Sequence, residues 1–305
     1  MSRIHEALKQ AAHGREPALF PGEAKPNHSV VAEAGHGNRH EWLNRRVPTS
    51  EERAAAVSDF LGLNDLWQRC RKPGWTLDPT YSAFSNSKSF TSCAEQFSKL
   101  RTRLYEFRDN EPLHTLLVTS SLPAEGKSFV SLNLALAMMR QHNRYVLLVD
   151  GDLRAPKLAT CLGVPGAPGL TEFLQGAADA SSIIQTDTEG KLFFISAGSA
   201  VSNPTELLST ERLECFLRQM AALFDWVIID APPVLPVSDA IVLAGRCDGV
   251  IVVVRAGSTG YDVVSTALQE LRGKKILGVV LNRAEEKEAT YGAYPYYGGN
   301  GMDKK

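Results

Sequence analysis

Beyond residue 110, apolar runs of strand length alternate with segments of helical period. The runs are "TLLVTS" (115–120), "RYVLLVD" (144–150), "KLFFISA" (191–197), "DWVIID" (225–230), "GVIVVV" (249–254) and "KILGVVLN" (275–282). Each is apolar at successive positions rather than at every second one, which marks strands buried on both faces. The segments 127–142, 205–223 and 260–272 carry apolar residues at helical spacing and suit crossover helices. Strands apolar on both faces and separated by helices predict an α/β fold: a mainly parallel sheet covered by helices on both faces. Ahead of the first strand, "TSCAEQFSKLRTRLYEF" (91–107) reads as a helix with Phe97, Leu100, Leu104 and Phe107 on one face and basic residues on another.

Residues 1–90 read differently. They hold five of the seven histidines, many glycines, prolines and charges, and no sustained apolar period. The expectation is an extension or linker with short helices, at "MSRIHEALKQAA", where Ile4 and Leu8 are helically spaced, and within "EERAAAVSDFLGLNDLWQRC" (51–70). At the other end, residues 285–305 form a glycine-rich tail in which Tyr291, Tyr294, Tyr296 and Tyr297 fall within seven positions. Glycines and a proline among those rings make the tail a poor candidate for core. The division expected is 1–90 extension, 91–284 nucleotide-binding domain, and 285–305 tail.

Composition narrows the class. With 44% hydrophobic and 22% charged residues, the 305-residue chain has the make-up of a soluble globular protein. A formal net charge of -1 supplies no global field toward nucleic acid, so no nucleic-acid partner is expected. Cys70, Cys93, Cys161, Cys215 and Cys247 are scattered, with neither metal-ligand spacing nor a disulfide framework, and read as free thiols of a reducing compartment. No apolar run approaches the roughly 18 residues that cross a bilayer, and the N-terminus has no secretory core, so a cytoplasmic location is expected.

The chemistry concentrates after the first strand, in "SSLPAEGKSFVSLNLALA". Gly126, Lys127 and Ser128 open a helix directly after a tight loop, the setting a phosphate-binding loop requires. Backbone N–H groups and the helix N-terminus attract phosphate oxygens, Lys127 reaches the β and γ groups, and Ser128 offers its hydroxyl to Mg²⁺. Leu122, Pro123, Ala124 and Glu125 shape the loop; Ser121 stands where the usual pattern begins with glycine. "YVLLVDGDLR" ends a strand on Asp150, Asp152 and Arg154, and "WVIIDAPP" ends another on Asp230, all at the sheet edge where open α/β folds bind ligands. Carboxylates there suit Mg²⁺, which keeps several waters and needs few protein ligands. Any one aspartate after a strand is as readily a helix cap. Asn282, closing the last run, is placed either to meet a base edge or to make a turn.

"LPAEGKS", "LLVDGDLR" and "VIIDAPP", followed by a terminal tyrosine cluster, resemble the three nucleotide-binding motifs of the bacterial tyrosine kinases (BY-kinases), which use a P-loop in place of the eukaryotic kinase fold. The resemblance spans about residues 90–300 and implies a P-loop NTPase of the MinD/ParA-like superfamily. It implies that Pro123, Ala124, Glu125, Gly126, Lys127, Ser128, Phe129 and Asn282 contact ATP, and that Ser128, Asp150, Asp152 and Asp230 serve the Mg²⁺. It implies further that Lys127, Asp150 and Asp152 act in catalysis, Asp150 orienting or deprotonating the phenol, and that the four tail tyrosines accept phosphate.

The related partitioning and septum-site ATPases carry a lysine near the loop start where this chain has Leu122, which argues against that group. Two departures from the kinase pattern are Ala124 in place of a loop glycine and "Glu95, Ser98, Arg101" where the family's oligomerisation helix has glutamate and two arginines. "MSRIHEALK" is similar to the start of tyrosine autokinases encoded with exopolysaccharide export. The resemblance thus implies autophosphorylation, a homo-oligomer, a separate membrane polysaccharide copolymerase as partner, a cognate phosphatase, and a peripheral position at the inner membrane face. The rival from another class is an ATPase switch or scaffold that binds ATP without making phosphotyrosine.

Overall fold

The structure is a computed structural model and describes residues 62–84, 91–187 and 189–284. The amphipathic start, residues 51–61 and the tail with Tyr291, Tyr294, Tyr296 and Tyr297 lie outside the described residues. In chain order the elements are α1 (Leu63–Arg69), a 3-10 turn (Pro79–Tyr81), α2 (Thr91–Asn110), β1 (Thr115–Ser120), α3 (Lys127–Met139), β2 (Val146–Asp150), α4 (Leu158–Leu162), α5 (Leu170–Leu174), α6 (Ala180–Ile183), β3 (Ile184–Thr186), β4 (Leu192–Ile195), α7 (Pro204–Leu208), α8 (Glu211–Leu223), β5 (Trp226–Asp230), α9 (Asp239–Ala244), β6 (Gly249–Arg255), α10 (Tyr261–Glu270) and β7 (Ile276–Asn282).

The strands form one seven-stranded sheet in the order β3-β4-β2-β5-β1-β6-β7. All neighbours are parallel except β3, which runs antiparallel to β4 at the edge. Side chains leave a strand on alternate faces, so each apolar run feeds two cores. Leu117, Val149, Ile229 and Val252 face α8, α9 and α10. Leu116, Val118, Leu148, Ile228 and Val253 face α2 and α3. Register aligns Asp150 with Asp230 of the central β5 and sets Asp230 beside Val118 of the neighbouring β1. Three strand ends therefore deliver carboxylates and the loop 121–126 to the same edge of the sheet.

The structure corrects two expectations. Phe107 is 45% exposed although its spacing puts it with Phe97 and Leu104, which are buried. The last turn of α2 instead turns Arg108 inward, over the Trp226 ring and onto the Asp225 carbonyl at 2.9 Å. Segment 62–84, expected within the linker, packs along the domain. Arg71 and Ile184 pair through their backbones, Thr76 and Asp78 donate to the carbonyls of Leu162 and Cys161, and Leu66 is fully buried. Some of its backbone donors are satisfied by β3 and α4, which an apolar-period reading cannot register.

Candidate active site

Loop 121–126 leaves β1 and enters α3 through Gly126, whose φ of 97° lies in the left-handed region. Ala124 also has positive φ, 63°, where a β-carbon is strained and glycine is at ease. The loop is held from behind by Glu125, only 2% exposed. Its carboxylate accepts from Leu122 N at 2.7 Å, from Arg255 N at 3.3 Å and from the Thr259 hydroxyl, tying the loop to the end of β6. Asn282 holds the other side: Nδ2 donates to the Glu125 carbonyl at 2.8 Å, and Oδ1 accepts from Arg283 N at 2.9 Å. Of the two expected uses of Asn282, this amide makes the turn, and it also latches the loop.

Lys127, the first residue of α3, reaches across the strand ends. Its Nζ lies 2.8 Å from Asp152 Oδ2 and 3.4 Å from Asp230 Oδ2. Ser128 Oγ donates to Asp230 at 2.5 Å, and Ser131 Oγ donates to its other oxygen at 3.1 Å. Burial alone would pull the Lys127 ammonium down, but Asp230 and Asp152 hold it above the ordinary lysine range, so it is cationic. Asp230 is fully buried, and burial raises it in spite of Lys127 and Ser128. Asp150 is also fully buried and is pushed up to about 7, by burial first and then by the charge of Asp230.

Asp150 does not face an acceptor. Its oxygens take Lys157 N at 3.2 Å, Leu158 N at 3.1 Å and Asp152 N at 3.3 Å, so it caps the start of α4 and pins the turn that carries Asp152. Fully buried and with both oxygens accepting from backbone N–H groups, Asp150 is placed here as a support of that turn. Asp152 is the carboxylate on the open side.

A cleft of about 1410 Å³ opens over this edge and is lined by Pro123, Ala124, Gly126, Lys127, Ser128, Phe129, Asp152 and Asn282. Glu125, Asp150 and Asp230 stand behind that lining. Its far wall is α2, through Leu100, Lys99 and Arg103. Of the three expected oligomerisation positions, Ser98 donates to its own helix at Ala94 O and Arg101 donates to Ala137 O at 2.8 Å.

The donor set fits a hard divalent ion. Ser128, Asp152 and Asp230 offer only oxygens, and the two carboxylates outnumber the one lysine between them. Among the described residues no three His, Cys, Asp or Glu side chains form a ready-made cage. Mg²⁺ needs none, because phosphates and water complete its shell.

Sequence reasoning missed four partners of the site. Thr259 braces Glu125; Asn133, buried on α3, is bound by the backbone of segment 62–84; and Asp239 with Thr205 holds Arg154. Each lies far along the chain from the group it serves, outside any motif spacing.

The chain matches the family described as AAA domain over residues 124–276. It is 34% identical over 215 residues to the tyrosine-protein kinase CpsD of Streptococcus agalactiae, covering 69% of this chain and 92% of that protein. With the tyrosine-protein kinase YwqD of Bacillus subtilis it shares 32% over 218 residues, 71% of this chain and 90% of that one. Among solved structures, the kinase domain of the Escherichia coli tyrosine kinase ETK superposes with a TM-score of 0.59 at 33% identity, over 63% of this chain and 77% of that one. The VpsO kinase domain does so with a TM-score of 0.57 at 34% identity, over 65% of this chain and the whole of that one.

Proposed function

The chain belongs to the bacterial tyrosine-protein kinase family, and from that premise we propose that it transfers the γ-phosphoryl group of ATP to its own tail tyrosines Tyr291, Tyr294, Tyr296 and Tyr297, from one copy to another. The observation that carries this reading is Lys127, held between Asp152 and Asp230 at the end of a loop that lines the cleft.

In the proposed reaction a tyrosine Oη–P bond forms, the bond from the γ-phosphorus to the bridging oxygen breaks, ADP leaves with that electron pair, and the phenolic proton passes to Asp152 or solvent. Transfer of this kind has a loose transition state and demands positioning and charge neutralisation more than a strong base. Gly126 and its neighbours would seat the β and γ oxygens against backbone N–H groups, and Lys127 would follow charge onto the bridging oxygen. Ser128, Asp152 and Asp230 would hold the Mg²⁺, which supplies Lewis-acid neutralisation of the phosphates. Asp230 keeps Ser128 aimed, and Asp150 fixes the turn beneath Asp152. Phe129 and Asn282 bound the nucleotide from the loop side.

The wider setting is proposed on sequence likeness: control of exopolysaccharide or capsule polymerisation and export, beside a membrane copolymerase and opposed by a cognate phosphatase, at the inner face of the cell membrane. No helix of the described residues is long and apolar enough to cross a membrane. Self-association follows from transfer between copies. Each added phosphate brings roughly -1.5 to -2 charges, so a modified tail would repel its neighbours and loosen the assembly.

Intact mass and peptide mapping of the protein with Mg-ATP test the reading. Phosphate additions on the tail, absent in Lys127→Met, are expected; mixing that variant with an active copy whose four tail tyrosines are phenylalanine should mark the Lys127→Met tail. ATP binding with no phosphotyrosine in any mixture would favour the ATPase switch.

A further inference from the structure

A second charged cluster bounds the cleft and has no task in the scheme above. Arg154, two residues past Asp152, lines the cleft together with Lys127 and Ser128, its side chain 41% exposed. The guanidinium is gripped along one edge. Nε donates to Asp239 Oδ2 at 2.7 Å, while Nη2 donates to Asp239 Oδ1 at 3.2 Å and to Thr205 Oγ1 at 3.2 Å. The Thr205 hydroxyl donates to Asp239 as well, closing a three-membered strut. Asp239 is fully buried at the first position of α9, and Thr205 belongs to α7.

A carboxylate withdrawn from water loses more in hydration than one half-exposed partner returns, so an ion pair like this is weak evidence for stability. What it fixes is direction. With Nε and Nη2 occupied, the Nη1 edge makes no hydrogen bond among the described residues. A guanidinium edge presenting free N–H groups into a cleft matches phosphoryl oxygens.

Its place relative to the loop narrows the ligand. Asp152 Oδ2 holds Lys127, and its Oδ1 accepts from Ala155 N at 3.0 Å, one residue beyond Arg154. Asp152 and Arg154 thus share one turn, and both line the cleft with Lys127. In the proposed scheme the loop and Lys127 account for the nucleotide's phosphates, which leaves the Nη1 edge of Arg154 as a cleft-lining donor with no assigned phosphate.

We propose that Asp239, assisted by Thr205, is a positioning residue that aims the Nη1 edge of Arg154 at the acceptor side of the cleft, where it binds the phosphoryl group arriving on the tyrosine. This rests on the kinase reading. Neither Asp239 nor Thr205 touches substrate; both act through Arg154.

The test uses the full chain with its four tail tyrosines changed to phenylalanine and a synthetic peptide of residues 285–305 as acceptor. Asp239→Asn, Arg154→Ala and their combination are compared for peptide phosphorylation and, by titration, for Mg-ATP binding. Asp239→Asn is expected to lower kcat/KM for the peptide by about tenfold or more, with ATP affinity within about twofold, and the double variant is expected to be no worse than Arg154→Ala. Thr205→Val, which leaves the ion pair intact, is expected to give a smaller loss of the same kind and serves if Asp239→Asn does not fold. Losses that multiply in the double variant, unchanged peptide transfer in both Asp239→Asn and Thr205→Val, or a matching fall in ATP affinity would each overturn the inference while the parent remains active. A parent that marks no peptide overturns the kinase reading, and this inference with it.

Discussion

Asn282, the last residue of β7, donates from Nδ2 to the carbonyl of Glu125 at 2.8 Å, so the final strand latches the loop that follows the first. The latch leaves no room at the next residue. A β-carbon built on Gly126 would lie 1.9 Å from that same Nδ2, at a φ of 97° that already strains any other residue.

Gly126→Ala is therefore expected to break the latch and weaken Mg-ATP binding by about tenfold or more, since displaced N–H groups no longer converge on phosphate. Adding Asn282→Ala removes the clash but not the backbone strain, so calorimetric titration of the double variant should recover part of the affinity. Full recovery would mean that φ is not the constraint. Ala124→Gly, at a φ of 63°, should by contrast stabilise the protein, by up to about 1 kcal/mol.

Glu125 would act on the loop without touching nucleotide. Three donors converge on its buried carboxylate, and Glu125→Ala leaves Leu122 N and Arg255 N without their acceptor. Each buried unsatisfied donor costs about 1–3 kcal/mol, so a loss of about 2–4 kcal/mol in denaturant unfolding is expected, with weaker ATP binding. Glu125→Gln keeps one acceptor oxygen and should lose less. Equal stability of the two variants would contradict this account.

Much of this was legible in the chain. The six apolar runs became β1, β2, β4, β5, β6 and β7 because continuous apolarity over five to seven residues has few uses other than a strand covered on both faces. Lys127, Ser128, Asp152 and Asp230 met at one edge because a parallel sheet collects the ends of its strands there. β3 was not legible: Gln185 and Thr186 are polar yet fully buried, and the strand has three residues. Neither was the packing of segment 62–84, whose buried residues, Leu66, Cys70 and Ala83 among them, are too widely spaced to make an apolar period. That Asp150 caps α4 was not legible, because a strand-terminal aspartate looks the same in sequence whether it caps a helix or faces a ligand.

Segment 62–84 gives a third expectation. The Asn133 side chain, on the helix that Lys127 opens, accepts from Ala83 N at 2.6 Å and donates to Tyr81 O at 2.8 Å. Thr80 and Tyr81 line the cleft itself. Asn133→Ala should release the segment, at a cost of about 1–3 kcal/mol, and speed proteolytic cleavage between residues 70 and 84. Mg-ATP should slow that cleavage in the parent protein more than in the variant. Identical cleavage rates in the two proteins would detach the segment from the site.

The buried acids set a pH dependence. The folded protein holds Asp150 at about 7 against an ordinary 3.8, and Asp230 is raised likewise, burial being the first cause for both. A carboxyl raised in this way keeps its proton in the folded state after the unfolded chain has released it. Its contribution to stability is complete below the unfolded value and is lost as pH climbs toward 7, by up to about 1.4 kcal/mol per pH unit for one proton. In metal-free buffer, Asp150→Asn should therefore gain stability relative to the parent between pH 5 and 8, most at the alkaline end. Subtracting the two profiles removes every group they share, histidines included. Mg-ATP should narrow the difference, because a bound divalent ion stabilises the ionised carboxylates. A difference that stays flat across this range in the absence of metal would show that Asp150 is ionised throughout, held by the backbone N–H groups of Lys157 and Leu158.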